Sequence, residues 1–205
     1  RAEALGPTWH QLDSTVRAPE TSWELPAHLA DRRDGALIYL SLGSLGAADV
    51  ELMQRLVDLL GRTDHRVIVS KGPLADQIRL HPNMTGEGFL PQPAILPQVD
   101  LVITHGGNNT VIESFHHGKP MIVLPLFWDQ VDNAQRVAET GFGVRLATYD
   151  FEDGELLGAI DRLLADEGLH ARLAAVSARM QAAQGTVHAA DLIERVAITQ
   201  APVTR

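Results

Sequence analysis

The sequence contains no cysteine, only two lysines (Lys71 and Lys119) and no long apolar run. Without cysteine there can be no disulfide, no thiolate nucleophile and no sulfur-ligated zinc, a composition that suits a reducing compartment. Cytoplasm is therefore the expected location. Scarce lysine, scattered arginine and a net charge of −9 leave no basic stripe to neutralise a phosphate backbone, so nucleic acid is not an expected partner. The longest apolar stretch, PMIVLPLFW from Pro120 to Trp128, falls far short of the roughly 20 residues of a membrane helix and is interrupted by Pro125. Neither a membrane span nor a signal peptide is expected. There is no GxSxG elbow and no HExxH pair, and Gly118–Lys119–Pro120 lacks the glycine and hydroxyl residue of a phosphate-binding Walker loop.

What is present describes a globular protein of 205 residues, 45% hydrophobic, long enough for one domain and an arm. Residues 1–35 are proline-rich and without sustained periodicity, so they read as a linker or arm, and the start at Arg1 suggests that something upstream is missing. From Ala36 onward, short runs of Val, Ile and Leu alternate with helix-like segments. Strands are expected at 36–43, 65–72, 84–90, 100–107, 120–125 and 143–147. Helices are expected at 47–62, where Val50, Met53, Leu56, Val57 and Leu60 share a face, in the short LADQIRL segment, after Asn108 and over 132–141. Residues 154–197 read as helical almost throughout, divided at Gly168 and Gly185, with 199–205 a tail. Such alternation predicts an α/β fold, a Rossmann-like doubly wound parallel sheet with a helical C-terminal tail. In such sheets ligands bind beyond the carboxyl ends of the strands.

The polar motifs fall at those ends. In THGGNNT, Thr104 to Thr110, Gly106 and Gly107 permit close backbone approach or positive φ, and the helix that follows offers free N–H groups to an anion such as a diphosphate. A local alternative stays open: Thr110 and Glu113 have capping-box spacing, and Asn109 could cap as well. His105 is either a phosphate contact or a hydrogen-bonded histidine at a strand end. In PLFWDQ, a buried-side Trp128 precedes Asp129 and Gln130, an acceptor and an amide suited to sugar hydroxyls, although Asp129 or Asp132 could instead start a helix. SLGSLG, Ser41 to Gly46, is a glycine-containing strand-to-helix turn. FLPQ, Phe89 to Gln92, places a ring and an amide after a strand, where they could recognise a base or belong to the core. His116 and His117 are expected near a helix end, where positive charge favours the dipole.

Taken together, Phe89 to Ala134 resembles the donor-binding signature of the UDP-glycosyltransferase family, especially its bacterial macrolide-type members, and Ala36 to about Ala197 resembles the C-terminal Rossmann-like half of the GT-B fold. The resemblance implies that Phe89 stacks on the base, with the Leu90 backbone and Gln92 around it. It further implies that His105 contacts and stabilises the leaving diphosphate, that Gly107, Asn109 and Thr110 line the pyrophosphate with Ser44 nearby, and that Glu113 takes the ribose hydroxyls. Asp129 and Gln130 match the pair that holds the transferred sugar. Phe89 stands where Trp is frequent, so the expected donor is a UDP-sugar or a TDP-sugar; Asn108, where plant members usually carry Trp, leaves the sugar itself open. No cofactor and no metal are implied. In this family the base that activates the acceptor hydroxyl belongs to an N-terminal acceptor-binding domain, so residues 36–198 are expected to be the donor-binding part of an inverting, metal-independent glycosyltransferase acting on a small natural product, inactive alone. A non-catalytic subunit of a split glycosyltransferase and a GT-B nucleotide-sugar epimerase are the alternatives.

Overall fold

A computed structural model describes residues 5–12, 14–32 and 34–205. Six parallel strands form one sheet: β1 (Leu37–Ser41), β2 (Arg66–Ser70), β3 (Met84–Glu87), β4 (Leu101–Thr104), β5 (Met121–Val123) and β6 (Gly143–Arg145). Their order in space is β3-β2-β1-β4-β5-β6, the doubly wound arrangement in which the chain reverses direction across the sheet between β1 and β4. The central strands are buried on both faces, which is why their sequences are continuous apolar runs rather than alternating ones.

Each face of the sheet has its own helical layer. Ile38, Leu40, Val67, Val69, Leu101 and Ile103 point into a core with helices α3 (Val50–Leu60), α7 (Asp153–Ala165) and α8 (Glu167–Ala182). The alternate residues Leu37, Tyr39, Ile68, Val102, Met121 and Val123 face the short α4 (Gln92–Ile95), α5 (Asn108–His116) and α6 (Gln130–Glu139). Burying each large aliphatic side chain contributes about 1.5–3 kcal/mol, so the period-two division of one strand between two cores holds both layers in place.

The remaining helices are α1 (Ala27–Ala30), α2 (Gly43–Gly46) and α9 (Gly185–Thr199). The arm does not hang free. Leu29 is fully buried, His28 Nε2 lies 3.2 Å from the Met84 carbonyl, and Trp23 and Leu25 pack against the second core. At the other end, the Ser14 hydroxyl lies 3.2 Å from His116 Nδ1, and a Cβ on Gly185 would collide with the Leu12 and Ser14 carbonyls. The part of the arm at residues 1–4, 13 and 33 lies outside the described residues.

Several boundaries differ from the periodicity. LADQIRL makes only one 3-10 turn, Ala75–Gln77, and β3 stops at Glu87 rather than at Leu90. The break in the C-terminal helices falls at Asp166 rather than Gly168, because the Asp166 carboxylate accepts from the Leu169 N–H at 2.8 Å and starts a new helix in which Gly168 lies in the first turn.

His116 ends α5 and His117 caps it, as expected, but not as cations. Burial holds both imidazoles below their ordinary 6.5, His117 at about 4, where the neighbouring His116 and Lys119 add to the effect. A neutral ring gives the helix dipole no counter-charge. Between about pH 4 and 6.5 the unfolded chain therefore binds more protons than the folded one, so this contribution to stability is complete above 6.5 and is lost as pH falls towards 4. Thermal midpoints measured at pH 7, 5.5 and 4.5 should fall in that order, and His117→Gln should flatten the decline.

Candidate functional site

β1 and β4 run side by side with Ser41 opposite Thr104, and their chains then leave towards opposite faces of the sheet. The separation opens a cleft of about 540 Å³ at the carboxyl edge. Tyr39 and Ser41 of β1, Ser70 at the end of β2, the Phe89–Pro93 turn after β3 and, after β4, His105, Gly107, Asn108, Asn109, Thr110 and Glu113 all face it.

His105 occupies the centre, and two glycines make room for it. A Cβ on Gly43 would stand 2.7 Å from His105 Nε2, and a Cβ on Gly107 also 2.7 Å from it, so the imidazole edge is seated between two bare backbones. The glycines have different backbones. Gly43 has φ +70°, a conformation that itself favours glycine, whereas Gly107 has an ordinary φ of −59°. What requires glycine at 107 is the histidine ring. Positive φ belongs instead to Gly106, at +87°. Nδ1 of His105 lies 3.4 Å from the Thr104 hydroxyl. Burial lowers the His105 pKa, partly opposed by the Asp129 carboxylate and the Ser41 carbonyl, so the ring is neutral at pH 7.

No side chain caps α5. Its N-cap is Gly107, and the capping-box alternative for Thr110 and Glu113 is not what these residues do. Thr110 lies inside the helix and its hydroxyl donates to Gln92 Oε1 at 3.3 Å, while Gln92 Nε2 donates to Glu113 Oε2 at 2.6 Å. By contrast, α3 and α8 are capped by Asp49 and Asp166, and α7 carries a capping box formed by Glu152 and Glu155. The first-turn N–H groups of α5 thus open onto the cleft with the positive end of the helix dipole.

Of the expected site residues, Ser44, Phe89, Leu90, Gln92, His105, Gly107, Asn109, Thr110 and Glu113 line this one cleft. Phe89 is no core residue: its ring is 69% exposed at the rim. Asp129 and Gln130 are not among the lining residues. Gln130 is buried, and its Oε1 accepts from the Leu126 and Phe127 N–H groups at 2.9 and 3.0 Å, so its amide oxygen shapes the turn rather than facing a ligand. Asp129 directly precedes α6 but makes no backbone cap; its carboxylate accepts from Asn133 Nδ2 at 3.1 Å, and the same amide donates to the Gly106 carbonyl at 3.0 Å. Trp128, expected on the buried side, is 76% exposed, with φ +56°. Its ring stands edge-on to Phe127 in a backbone conformation unusual for a bulky residue.

The motifs alone did not point to Arg17, Tyr39 or Ser70. Tyr39 is buried beneath the cleft floor, its pKa raised by burial, with hydrogen bonds to the Ser41 and Ser70 side chains opposing the rise. Ser41 and Ser70 end their strands as the only polar residues of LIYLS beside a tyrosine and of VIVS, a signal the strand-end rule could have used. Among the described residues, no group of three or more acidic or histidine side chains could hold a metal ion.

A family model described as erythromycin biosynthesis protein CIII-like, C-terminal domain, matches residues 54–194. The zeaxanthin glucosyltransferase of Pantoea ananas is 31% identical over 171 residues, covering 81% of this chain and 39% of the relative. The NDP-glycosyltransferase YjiC of Bacillus subtilis (strain 168) is 31% identical over 169 residues, covering 81% and 43%. Among solved structures, the glycosyltransferase of kitacinnamycin superposes with a TM-score of 0.77 at 30% identity, covering 88% of this chain and 46% of that one. CalG4, the calicheamicin glycosyltransferase, gives 0.75 at 25% identity, covering 90% and 48%. The chain spans less than half the length of each of these proteins.

The geometry at Gly107 makes one outcome specific. Gly107→Ala keeps an allowed backbone but pushes the His105 ring aside, so the folded protein should retain its thermal midpoint within a few degrees while the imidazole resonances of His105 shift in NMR spectra. Asn108→Ala, which adds nothing against the ring, should leave them in place.

Proposed function

The chain belongs to the family of the erythromycin biosynthesis protein CIII-like C-terminal domain, and on that premise we propose that it supplies the donor site of an inverting, metal-independent glycosyltransferase that transfers a hexose to a hydroxyl of a small-molecule acceptor. Its coarse identity is that of a glycosyltransferase C-terminal, donor-binding domain of GT-B fold. We read residues 1–35 as the entering arm, 36–198 as the donor-binding unit and 199–205 as a tail. The relatives named for zeaxanthin, kitacinnamycin and calicheamicin support a natural-product acceptor. The name NDP-glycosyltransferase supports a nucleoside diphosphate sugar as donor, here a UDP-sugar or TDP-sugar.

The observation that carries this reading is the convergence of an uncapped helix N-terminus, a neutral histidine and a carboxylate held by an amide in one cleft. Each has a task. Phe89 offers an exposed face on which a base can stack, with the Leu90 backbone at its edge. Glu113, aligned by Gln92, accepts ribose hydroxyls. Gly107, Asn109 and Thr110 present N–H groups to the diphosphate, with the Ser44 hydroxyl across the cleft. Asp129 is our candidate for the transferred sugar, and Gln130 holds the turn that aims it.

The chemistry follows from charge. As the acceptor oxygen bonds to the anomeric carbon, the bond to the β-phosphate oxygen breaks and its electron pair stays with the phosphate. The acceptor proton passes to a base that we place outside this chain, so the chain alone should turn over little donor. Charge develops on the departing oxygen, where preoriented N–H dipoles and His105 stabilise it; one such donor is worth about 3 kcal/mol of barrier. No cofactor is required by this scheme.

Calorimetric titration of the chain with UDP, TDP and ADP in chelator tests the donor site. Pyrimidine diphosphates should bind in preference to ADP, and His105→Ala and Glu113→Ala should each weaken binding about tenfold or more, the size of a charge-assisted hydrogen bond. Absence of binding by the folded chain, or binding that the chelator abolishes, would refute the reading.

A further inference from the structure

The arm contributes one residue to the cleft that no motif accounts for. Arg17 lines it together with Phe89, Gln92, His105 and Glu113. The same arginine and residues 18–21 lie along the Pro91–Ala94 turn. That turn is joined to the first turn of α5 by the 3.3 Å bond from Thr110 to Gln92, and Arg17 lines the same cleft as Gly107, Asn108, Asn109 and Thr110 at the start of that helix.

Among the described lining residues, Arg17 alone bears a permanent positive charge. Glu113 is negative, and burial keeps His105 neutral. Without Arg17, a dianionic diphosphate would enter a cleft whose only formal charge is of its own sign. Among the described residues the guanidinium's one ion pair, with Glu20, is 4.0 Å long between side chains 80% and 86% exposed, too loose and too solvated to hold it. A guanidinium is suited to phosphate oxygens by its fork of donors and its charge at any working pH.

We propose that Arg17 is a donor-binding residue, supplied by the arm, that provides the positive counter-charge for the diphosphate of the nucleotide sugar; this rests on the donor-site reading given above. The arm is then part of the binding site as well as a tether, and its position along the Pro91–Ala94 turn sets how strongly the donor is held.

The test compares UDP with uridine, which differ by the diphosphate. For the native chain, Arg17→Ala, Arg17→Lys and Arg17→Glu, dissociation constants for both are measured at low and high salt. Arg17→Ala should weaken UDP about fivefold, Arg17→Lys less and Arg17→Glu more, with uridine unchanged within twofold and a shallower salt dependence for UDP in Arg17→Ala. UDP binding by Arg17→Ala within twofold of native, or a parallel loss of uridine, overturns the proposal while leaving the donor site standing. Failure of the native chain to bind UDP overturns the donor site and Arg17's part in it together.

Discussion

The pairing of β1 with β4 is the constraint on which everything else depends. Parallel register brings Ser41 level with Thr104, and because the two chains then turn to opposite faces of the sheet, a gap opens between them. The cleft is a consequence of topology: any sequence that winds a parallel sheet in both directions from its centre leaves an uncovered crevice at the carboxyl edge. Six strands, two cores and both helical layers hold that edge open, and the residues placed on it are free to be chosen for chemistry.

Apart from Glu113 and Arg17, the electrostatics of the crevice come from groups that carry no net charge. A side-chain cap on α5 would have consumed the N–H groups that here point outward, and a charged histidine would have been expensive to bury among the strand ends. Instead the ring is neutral, wedged between Gly43 and Gly107, and preoriented. Preorganisation of this kind stabilises developing charge without reorganising at the moment of reaction. A tight backbone surrounds the histidine because room for its imidazole exists only where the side chains of positions 43 and 107 are missing.

Much of this was legible in the residues. Six apolar runs broken by amphipathic helices dictate a doubly wound sheet, since only burial on both faces tolerates strands such as LVIT and RVIV. The strand-end rule then assigned the polar motifs to one edge, and nine of the expected site residues do meet there. Local capping energies, in contrast, moved helix boundaries by a few residues, as at Asp166. LADQIRL lost its helix to a single turn because nothing beyond Ile78 and Leu80 offered it a buried face.

By itself the sequence determined the class of fold and the edge at which the polar motifs gather, because these depend on composition and on periods of 2 and 3.6 that can be counted along the chain. Only the tertiary structure decided which side chain meets which. Glu113 bonds Gln92, 21 residues before it, instead of its own helix terminus. Gln130 turns inward while Trp128 turns out, and Gly107 is required by the imidazole of His105 rather than by its own φ. Arg17 reaches the cleft from the arm across the Pro91–Ala94 turn. Contacts between residues distant in sequence follow from how layers pack, and packing leaves no periodic mark on the chain.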